Sequence, residues 1–268
     1  ASLTNERTRG VDMSLLMMAF SIGGIAGPAL GSIGNARDPF LYFCGVPFAL
    51  AACAFFMLRK AGSPDAGRAE ASYEKPAKIV PTGNPGRKLT CSCLVILATC
   101  GTFGALELLL PLQFSAIGWS RQEIGLFFAG WGLAMFTIQP MIGRWSDRRG
   151  RKEPILFGLL LSAALTPVTF SFLNSAALVP LALFLIFGLS AALTPTLALM
   201  VDDLPEGGFG KAFGIYNMAF SLGIVLGPLL GGYVSEHLGV LYAAALCSLA
   251  LVFVVPPVLL LLRLEKSG

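Results

Sequence analysis

Long apolar runs alternate with short polar segments along the whole chain. Eight of these runs are long enough to cross a bilayer core as a helix, which takes about 20 residues. They lie at 11–34, 39–59, 90–116, 122–143, 154–174, 178–200, 211–234 and 239–262. The pattern therefore predicts an all-α membrane protein with eight transmembrane helices.

The composition supports this interpretation and excludes several classes of protein. Hydrophobic residues make up 55% and charged residues 13% of the 268 residues, and the mean hydropathy is +0.75. Because a soluble globular chain carries roughly 25% charged residues, a cytosolic enzyme and a nucleic-acid-binding protein are excluded. The single His237 excludes a multi-histidine metal centre, and the six cysteines show no metal or disulfide spacing. We therefore expect no metal site.

The basic residues predict the orientation of the helices. Seventeen of the 19 Lys and Arg residues lie near the first residues, in or beside segment 60–88, in the 144–152 loop, or at 211 and 263–266. The opposite loops hold only Arg37 and Arg121. Because cytoplasmic loops carry the excess of basic residues, we expect both termini to be cytoplasmic. We expect a multi-pass protein of a bacterial or archaeal inner membrane.

An internal repeat divides the chain. Residues 18–32 and 218–232 are identical at nine of fifteen positions, at a constant offset of 200 residues. The first and seventh predicted spans are therefore equivalent helices of two repeated halves. The Pro-, Gly- and charge-rich segment 60–88 is predicted to be a cytoplasmic linker. It joins 1–59, the last two helices of one half, to 89–268, the six helices of the other. If the halves match, about four further spans precede Ala1 and the chain is truncated at its N-terminus.

Two motifs carry a resemblance to a known family. The loop after the fourth span reads Gly143-Arg-Trp-Ser-Asp147-Arg148-Arg149-Gly150-Arg151-Lys152. It matches in full G-x-x-x-D-R-x-G-R-[KR], the signature loop of the major facilitator superfamily, and resembles the copy between helices 8 and 9. The first span resembles the helix-5 motif of drug/proton antiporters, with Gly23, Gly27, Pro28, Gly31 and, in place of the last glycine, Ser32. Helix 11 repeats that motif in full with Gly223, Gly227, Pro228, Gly231 and Gly232. The resemblance implies the superfamily's helical bundle, of which this chain supplies helices 5 to 12.

The signature loop has a chemistry of its own. Gly143 and Gly150 allow a tight turn, and five basic side chains favour a position at the membrane face near anionic lipid. Asp147 can pair with an arginine or lie at a helix N-terminus. The resemblance implies the second arrangement, in which the aspartate fastens the loop to helix 5 and favours the outward-facing state. The alternative is a topology determinant and helix cap without a switching role.

The glycines of the Gly-Pro motif recur every four residues, which lets another helix pack closely against them. The proline adds a kink. The resemblance implies that the stripe seals the interface between the halves against proton leak, and close packing alone is the alternative. We predict that the Gly23–Gly31 stripe packs against helices of the other half.

Glu107 is the one acidic residue well inside an apolar span. A charge near the bilayer centre costs roughly 2.5–3.5 kcal/mol, so we expect this side chain to face the interior, to be paired, or to be protonated. Helical spacing places Cys93, Cys100, Gly104 and Pro111 on its face. One interpretation is a proton-titrating or cation-attracting residue of a central cavity. The other is a structural carboxyl that is kept neutral by hydrogen bonds.

Four further side chains are candidates for the same cavity. Asn217 and Ser221 lie four apart in helix 11, and Gln139 lies in helix 8. Hydrogen bonds between helices explain these three equally well. Trp131 lies mid-span and is able to stack on an aromatic or cationic substrate, although a bulky core residue is the simpler explanation. Asp202 and its acidic neighbours in the 10–11 loop are expected to complement the basic loops.

These features together favour a secondary active transporter. The resemblance implies proton-coupled efflux of small drug-like or amphipathic molecules by alternating access, with the proton gradient as energy source and no cofactor. The chain has no catalytic nucleophile and no phosphate-binding loop, so it is expected to be neither an enzyme nor ATP-driven. A sugar or metabolite porter of the same superfamily is the alternative. A non-transporting membrane sensor or an inert fragment is the alternative of another class. The expected partners are a small-molecule substrate and the lipid bilayer, without nucleic acid, and we expect a monomer.

Overall fold

The computed structural model describes Val11, Ser14, residues 85–202 and residues 209–263. Its elements are all α-helices: α1 (Pro85–Ala116), α2 (Arg121–Arg149), α3 (Lys152–Ser171), α4 (Leu178–Val201), α5 (Phe209–Leu238) and α6 (Val240–Arg263). All six are long and apolar enough to cross a membrane. The described part thus holds six of the eight predicted spans. The other two, with Gly23, Gly27, Pro28 and Gly31, lie outside the described residues apart from Val11 and Ser14, which are helical.

The signature loop is shorter than the sequence predicted. Residues 144–149 continue α2, so the connection to α3 consists of Gly150 and Arg151 alone. Gly150 makes the turn with a φ of 87°, a conformation that side chains disfavour. Gly143 makes no turn and is buried within α2. Segment 60–88 also ends earlier than predicted, because α1 begins at Pro85, and proline suits a first helical position where no N–H is needed.

The helices α1 and α4 lie at the centre of the bundle. The most extensive contact of α1 is with α5, and α1 also packs on α4 and α6, while α4 packs on α1, α2 and α3. Leucine and isoleucine side chains such as Leu106, Leu110 and Leu185 fill the core between them. The outward faces are apolar as well, with Phe253 81% and Leu126 69% exposed. Such faces suit helices that contact lipid.

Prolines lie inside all six helices, at Pro111, Pro140, Pro167, Pro195, Pro228, Pro256 and Pro257. A proline removes the N–H that would bond the carbonyl four residues earlier. In α3, Pro167 leaves the Ala163 carbonyl without this donor, and Ser248 Oγ of α6 donates to that oxygen at 2.5 Å. A neighbouring helix thus satisfies the freed backbone group, as the bilayer interior requires.

Candidate functional site

Asp147 joins the α2–α3 turn to the beginning of the first predicted span. Its Oδ2 accepts a hydrogen bond from the backbone N–H of Val11 at 3.0 Å, and its Oδ1 accepts one from Arg151 Nη1 at 2.5 Å. Val11 is helical, and Ser14 Oγ donates to its carbonyl at 2.7 Å. A carboxylate is favoured at the first amides of a helix, because these carry partial positive charge. Asp147 therefore contacts an arginine and the backbone N–H of a helical residue at the same time.

Arg151 extends this contact to α4. Its Nε donates to Asp202 Oδ2 at 3.4 Å, and its Nη1 also donates to Ser146 Oγ at 3.1 Å. The Arg151 side chain is only 13% exposed, so water screens this cluster less than a surface ion pair. We call Asp147, Arg151, Asp202, Ser146 and the Val11 N–H the latch cluster. It ties α2, α3 and α4 to the Val11 segment.

The end of α4 that carries the latch cluster is enclosed. Every residue from Gly188 to Val201 is buried. At the opposite end of the same helix, Val179 and Phe184 are 55% and 60% exposed. The end of α4 beside Asp202 is therefore packed among its neighbours along its whole circumference.

The remaining basic residues of the signature loop do not join the cluster. Arg149 Nη1 pairs with Glu153 Oε1 at 3.0 Å on the surface. Arg144 and Arg148 are exposed, and Lys152 is half-buried. The basic residues of the motif thus divide in the structure into Arg151, which joins the latch cluster, and the others, which do not.

A small apolar cavity lies between α1, α2, α4 and α5. It measures about 20 Å³ and is lined by side chains that include Cys100, Phe103, Met135, Leu193 and Phe220. This volume suits about one water molecule, whereas a drug-sized ligand needs at least about 300 Å³. This cavity is therefore too small for a substrate of that size.

Glu107 lies one helical turn beyond Phe103 on α1. Since Phe103 lines the cavity, helical periodicity places Glu107 on the side of α1 that faces this region. Its side chain is exposed and has no hydrogen bond or ion pair with the described residues. On the same face Cys100 and Gly104 are buried and Cys93 is half-buried. No partner for Glu107 is thus found within residues 85–202 and 209–263, and the carboxylate is accessible.

Trp131 and Gln139 are buried on the inner face of α2. The Trp131 ring packs on Phe103, Phe127 and Phe128, with centroids 6.4, 5.9 and 6.0 Å away. This packing favours the simpler interpretation of Trp131 as a core residue. The Gln139 amide is fully buried and has no hydrogen-bond partner in the described part of the chain.

Asn217 and Ser221 are exposed on one face of α5, whereas their neighbour Tyr216 is buried. The Tyr216 hydroxyl shares a 2.8 Å hydrogen bond with Thr196 Oγ1 of α4. Ser92 Oγ of α1 donates to the Thr196 carbonyl at 2.9 Å. The sequence analysis did not single out Tyr216 and missed this connection. The five proposed cavity side chains do not form one cluster, since two are buried on α2 and three are exposed on α1 and α5.

Comparison with known proteins identifies the family. Residues 92–268, which include nearly all of α1 to α6, match the sequence model of the Major Facilitator Superfamily. The chain belongs to this superfamily. The resemblance that the signature loop carried is thereby confirmed.

Curated relatives within the superfamily cover this chain to different extents. The mouse "MFS-type transporter SLC18B1" is 27% identical over 255 residues, which are 87% of this chain and 54% of that protein. The "Tetracycline resistance protein, class E" of Escherichia coli is 30% identical over 133 residues, 48% of this chain and 32% of its own. The "Quinolone resistance protein NorA" of Staphylococcus aureus is 28% identical over 129 residues, which are 47% of this chain and 33% of that protein. The chain spans about half the length of these relatives or less.

The second copy of the Gly-Pro motif, predicted for helix 11, lies in α5 and packs on α1. A Cβ added at Gly227 would overlap the Gly101 carbonyl oxygen, and one added at Gly223 would lie 2.7 Å from the Leu97 carbonyl oxygen. Both contacts lie within the six-helix half, so close packing accounts for this copy. The Gly23–Gly31 stripe lies outside the described residues, and its contact with the other half stays a prediction.

Proposed function

We propose that this chain is part of a secondary active transporter that moves small molecules by alternating access. The latch cluster carries the proposal, because one carboxylate contacts both the Val11 N–H and Arg151. A contact of this kind stabilises one closed end of a molecule and has to break before that end opens. The burial of α4 beside Asp202 supports a state in which this end is closed.

We further propose that transport is efflux coupled to proton entry. Glu107 supports this, as an accessible carboxylate within a span and one turn from the cavity-lining Phe103. Ionisable residues inside membrane helices commonly serve proton relays and substrate paths. A proton and a cationic substrate that compete for Glu107 give the simplest antiport. Two relatives are named for resistance to tetracycline and to quinolones, which favours a small drug-like substrate.

The test uses the product of the complete reading frame that encodes this chain, reconstituted in vesicles with an imposed proton gradient. We expect ethidium, a fluorescent amphipathic cation, to move against its gradient as protons move the other way. Glu107→Gln keeps the shape of the side chain but cannot titrate, so it is expected to abolish proton-driven movement while membrane insertion and folding persist. Glu123→Gln is the matched control, because Glu123 is exposed at the start of α2 and is expected to leave the rate unchanged.

Three other outcomes would favour a different function or a different role for Glu107. A wild-type rate and pH profile in Glu107→Gln would make Glu107 structural and refute its role in coupling. Proton-linked movement of a sugar without movement of ethidium would favour the metabolite porter. A protein that moves neither solute in either direction would favour a sensor or an inert fragment.

A further inference from the structure

The outward face of α2 is apolar along most of the helix and becomes basic at the C-terminal end. Leu126, Leu133 and Met141 lie on this face, and each is more than half exposed. Helical periodicity continues the same face to Arg144 and Arg148, which are both exposed. Since the apolar part of the face suits the acyl chains, the two arginines lie where the phospholipid headgroups begin.

Arg144 and Arg148 differ from Arg149 and Arg151 in having no ionic partner among the residues that the structure describes. Arg151 belongs to the latch cluster, and Arg149 is paired with Glu153. Neither Arg144 nor Arg148 forms an ion pair or hydrogen bond with the described residues. They are four residues apart, so their side chains are neighbours on the helix surface. The pair therefore presents two guanidinium groups to one side.

Aromatic surface lies beside the two arginines. Trp145 of α2 packs edge-on against Phe157 of α3, with ring centroids 5.5 Å apart. Phe157 is 44% exposed, and Leu160 on the same face of α3 is 52% exposed. Tryptophan is enriched at the depth where hydrocarbon meets headgroups. The arginines are thus flanked by side chains on which an acyl chain is able to pack.

We propose that Arg144 and Arg148 bind the phosphate of an anionic phospholipid in the leaflet at this end of α2. Guanidinium groups match the oxygens of a phosphate diester with paired hydrogen bonds. An anionic lipid such as phosphatidylglycerol supplies this phosphate without the ammonium group of phosphatidylcholine, which the arginines would repel. The acyl chains lie along Met141 and the Trp145–Phe157 pair. The site is independent of transport, since it requires only that the helices span a bilayer.

Quenching of Trp145 fluorescence by brominated lipid tests this site in the full chain. Brominated phosphatidylglycerol is expected to quench Trp145 at a lower mole fraction than brominated phosphatidylcholine. The Trp145→Phe variant shows how much of the fluorescence comes from Trp145 and how much from the other two tryptophans. Each removed arginine is expected to lower the preference for phosphatidylglycerol about fivefold, which corresponds to about 1 kcal/mol per basic residue at a membrane surface. Arg144→Gln and Arg148→Gln are measured singly and together. Arg121→Gln, which removes an exposed arginine from the opposite end of α2, is expected to leave the preference unchanged.

Three results would overturn the proposal. Equal quenching by both lipids would show that the site does not select anionic headgroups. An equal loss in Arg121→Gln would reduce the effect to general attraction between the protein and a charged surface. Displacement by free glycerol phosphate at a concentration equal to that of the lipid would assign the site to a soluble phosphate ester. If a Gln variant is not folded, the Lys variants at the same positions replace it, and they are expected to keep a weaker preference because a lysine lacks the paired geometry.

Discussion

Asp147 Oδ2 and the backbone nitrogen of Val11 lie 3.0 Å apart, although 136 positions separate the two residues. The second carboxylate oxygen of Asp147 is occupied by Arg151. One side chain therefore uses both of its oxygens, one toward each partner. The aspartate and the arginine of the signature motif therefore act together at this contact.

Replacement of Ser248 by alanine is expected to destabilise the bundle. The Ala163 carbonyl already lacks an intrahelical donor because of Pro167, and the change removes its partner from α6. Hydrogen bonds between membrane helices contribute about 0.6–1.7 kcal/mol, so we expect a loss of that size in unfolding measured in mixed micelles.

The Pro167→Ala variant provides the control for Ser248. Alanine restores an N–H for the Ala163 carbonyl, so Ser248→Ala in that background is expected to cost much less. Equal costs in the two backgrounds would refute the link between the proline and the serine. Ser171→Ala, at an exposed hydroxyl that bonds within its own helix, is expected to be nearly neutral.

Gly227→Ala is expected to force α5 away from α1. The added Cβ would overlap the Gly101 carbonyl oxygen, and overpacking of this kind costs about 1–3 kcal/mol or more. Gly214→Ala on the same helix is the matched control, because no atom outside its own stretch of helix lies within 4 Å of the position where its Cβ would be added. Thermal unfolding in micelles compares the two variants, and equal stability would contradict the close approach of α1 and α5.

Tyr216→Phe is expected to weaken the contact between α4 and α5. The change removes only the hydroxyl that bonds Thr196 Oγ1 inside the bundle, and we expect a loss of about 0.5–1.5 kcal/mol in the free energy of unfolding. A double-mutant cycle with Thr196→Val isolates the pair. Additive effects of the two changes would show that the two hydroxyls do not interact.

The two ends of α2 are expected to face opposite sides of the membrane, with Arg149 on the cytoplasmic side because of the basic residues around it. Single cysteines replace Gln122 and Arg149, both exposed, in a cysteine-free background. An impermeant maleimide added to intact cells is expected to label position 122 and not 149. Labelling of 149 alone would invert the topology.

The sequence predicted the six described spans to within a few residues at most ends, because long apolar runs and their charged borders mark membrane helices directly. It did not predict that α2 continues to Arg149. Hydropathy alone marks the charged residues 144–149 as a loop outside the membrane, although charged residues can also extend a helix beyond it. The contact between Ser248 and Ala163 was also not predictable. Periodicity shows that Pro167 frees a carbonyl, but which neighbouring helix supplies the donor depends on how the bundle packs.

The sequence predicted which kinds of charged residue meet at the candidate site, but not which individual residues contact each other. The pairing of Asp147 and the acidic complement at Asp202 followed from the few charges available near the signature loop. Which of the basic residues contacts them did not follow, because Arg148, Arg149 and Arg151 are equivalent in the sequence and differ only in the direction set by the Gly150 turn.

The rate at which a cysteine at position 14 is alkylated tests the latch cluster most directly. Ser14 is fully buried and lies one turn beyond Val11, so Ser14→Cys in a cysteine-free chain reports opening of this end. We expect slow labelling with Asp147 intact and labelling at least about tenfold faster in Asp147→Ala, since hydrogen bonds to a charged group contribute about 1.5–3 kcal/mol. Glu153→Gln, which breaks only the surface pair with Arg149, is predicted to leave the rate unchanged. The same slow rate in Asp147→Ala would contradict the claim that Asp147 holds this end closed.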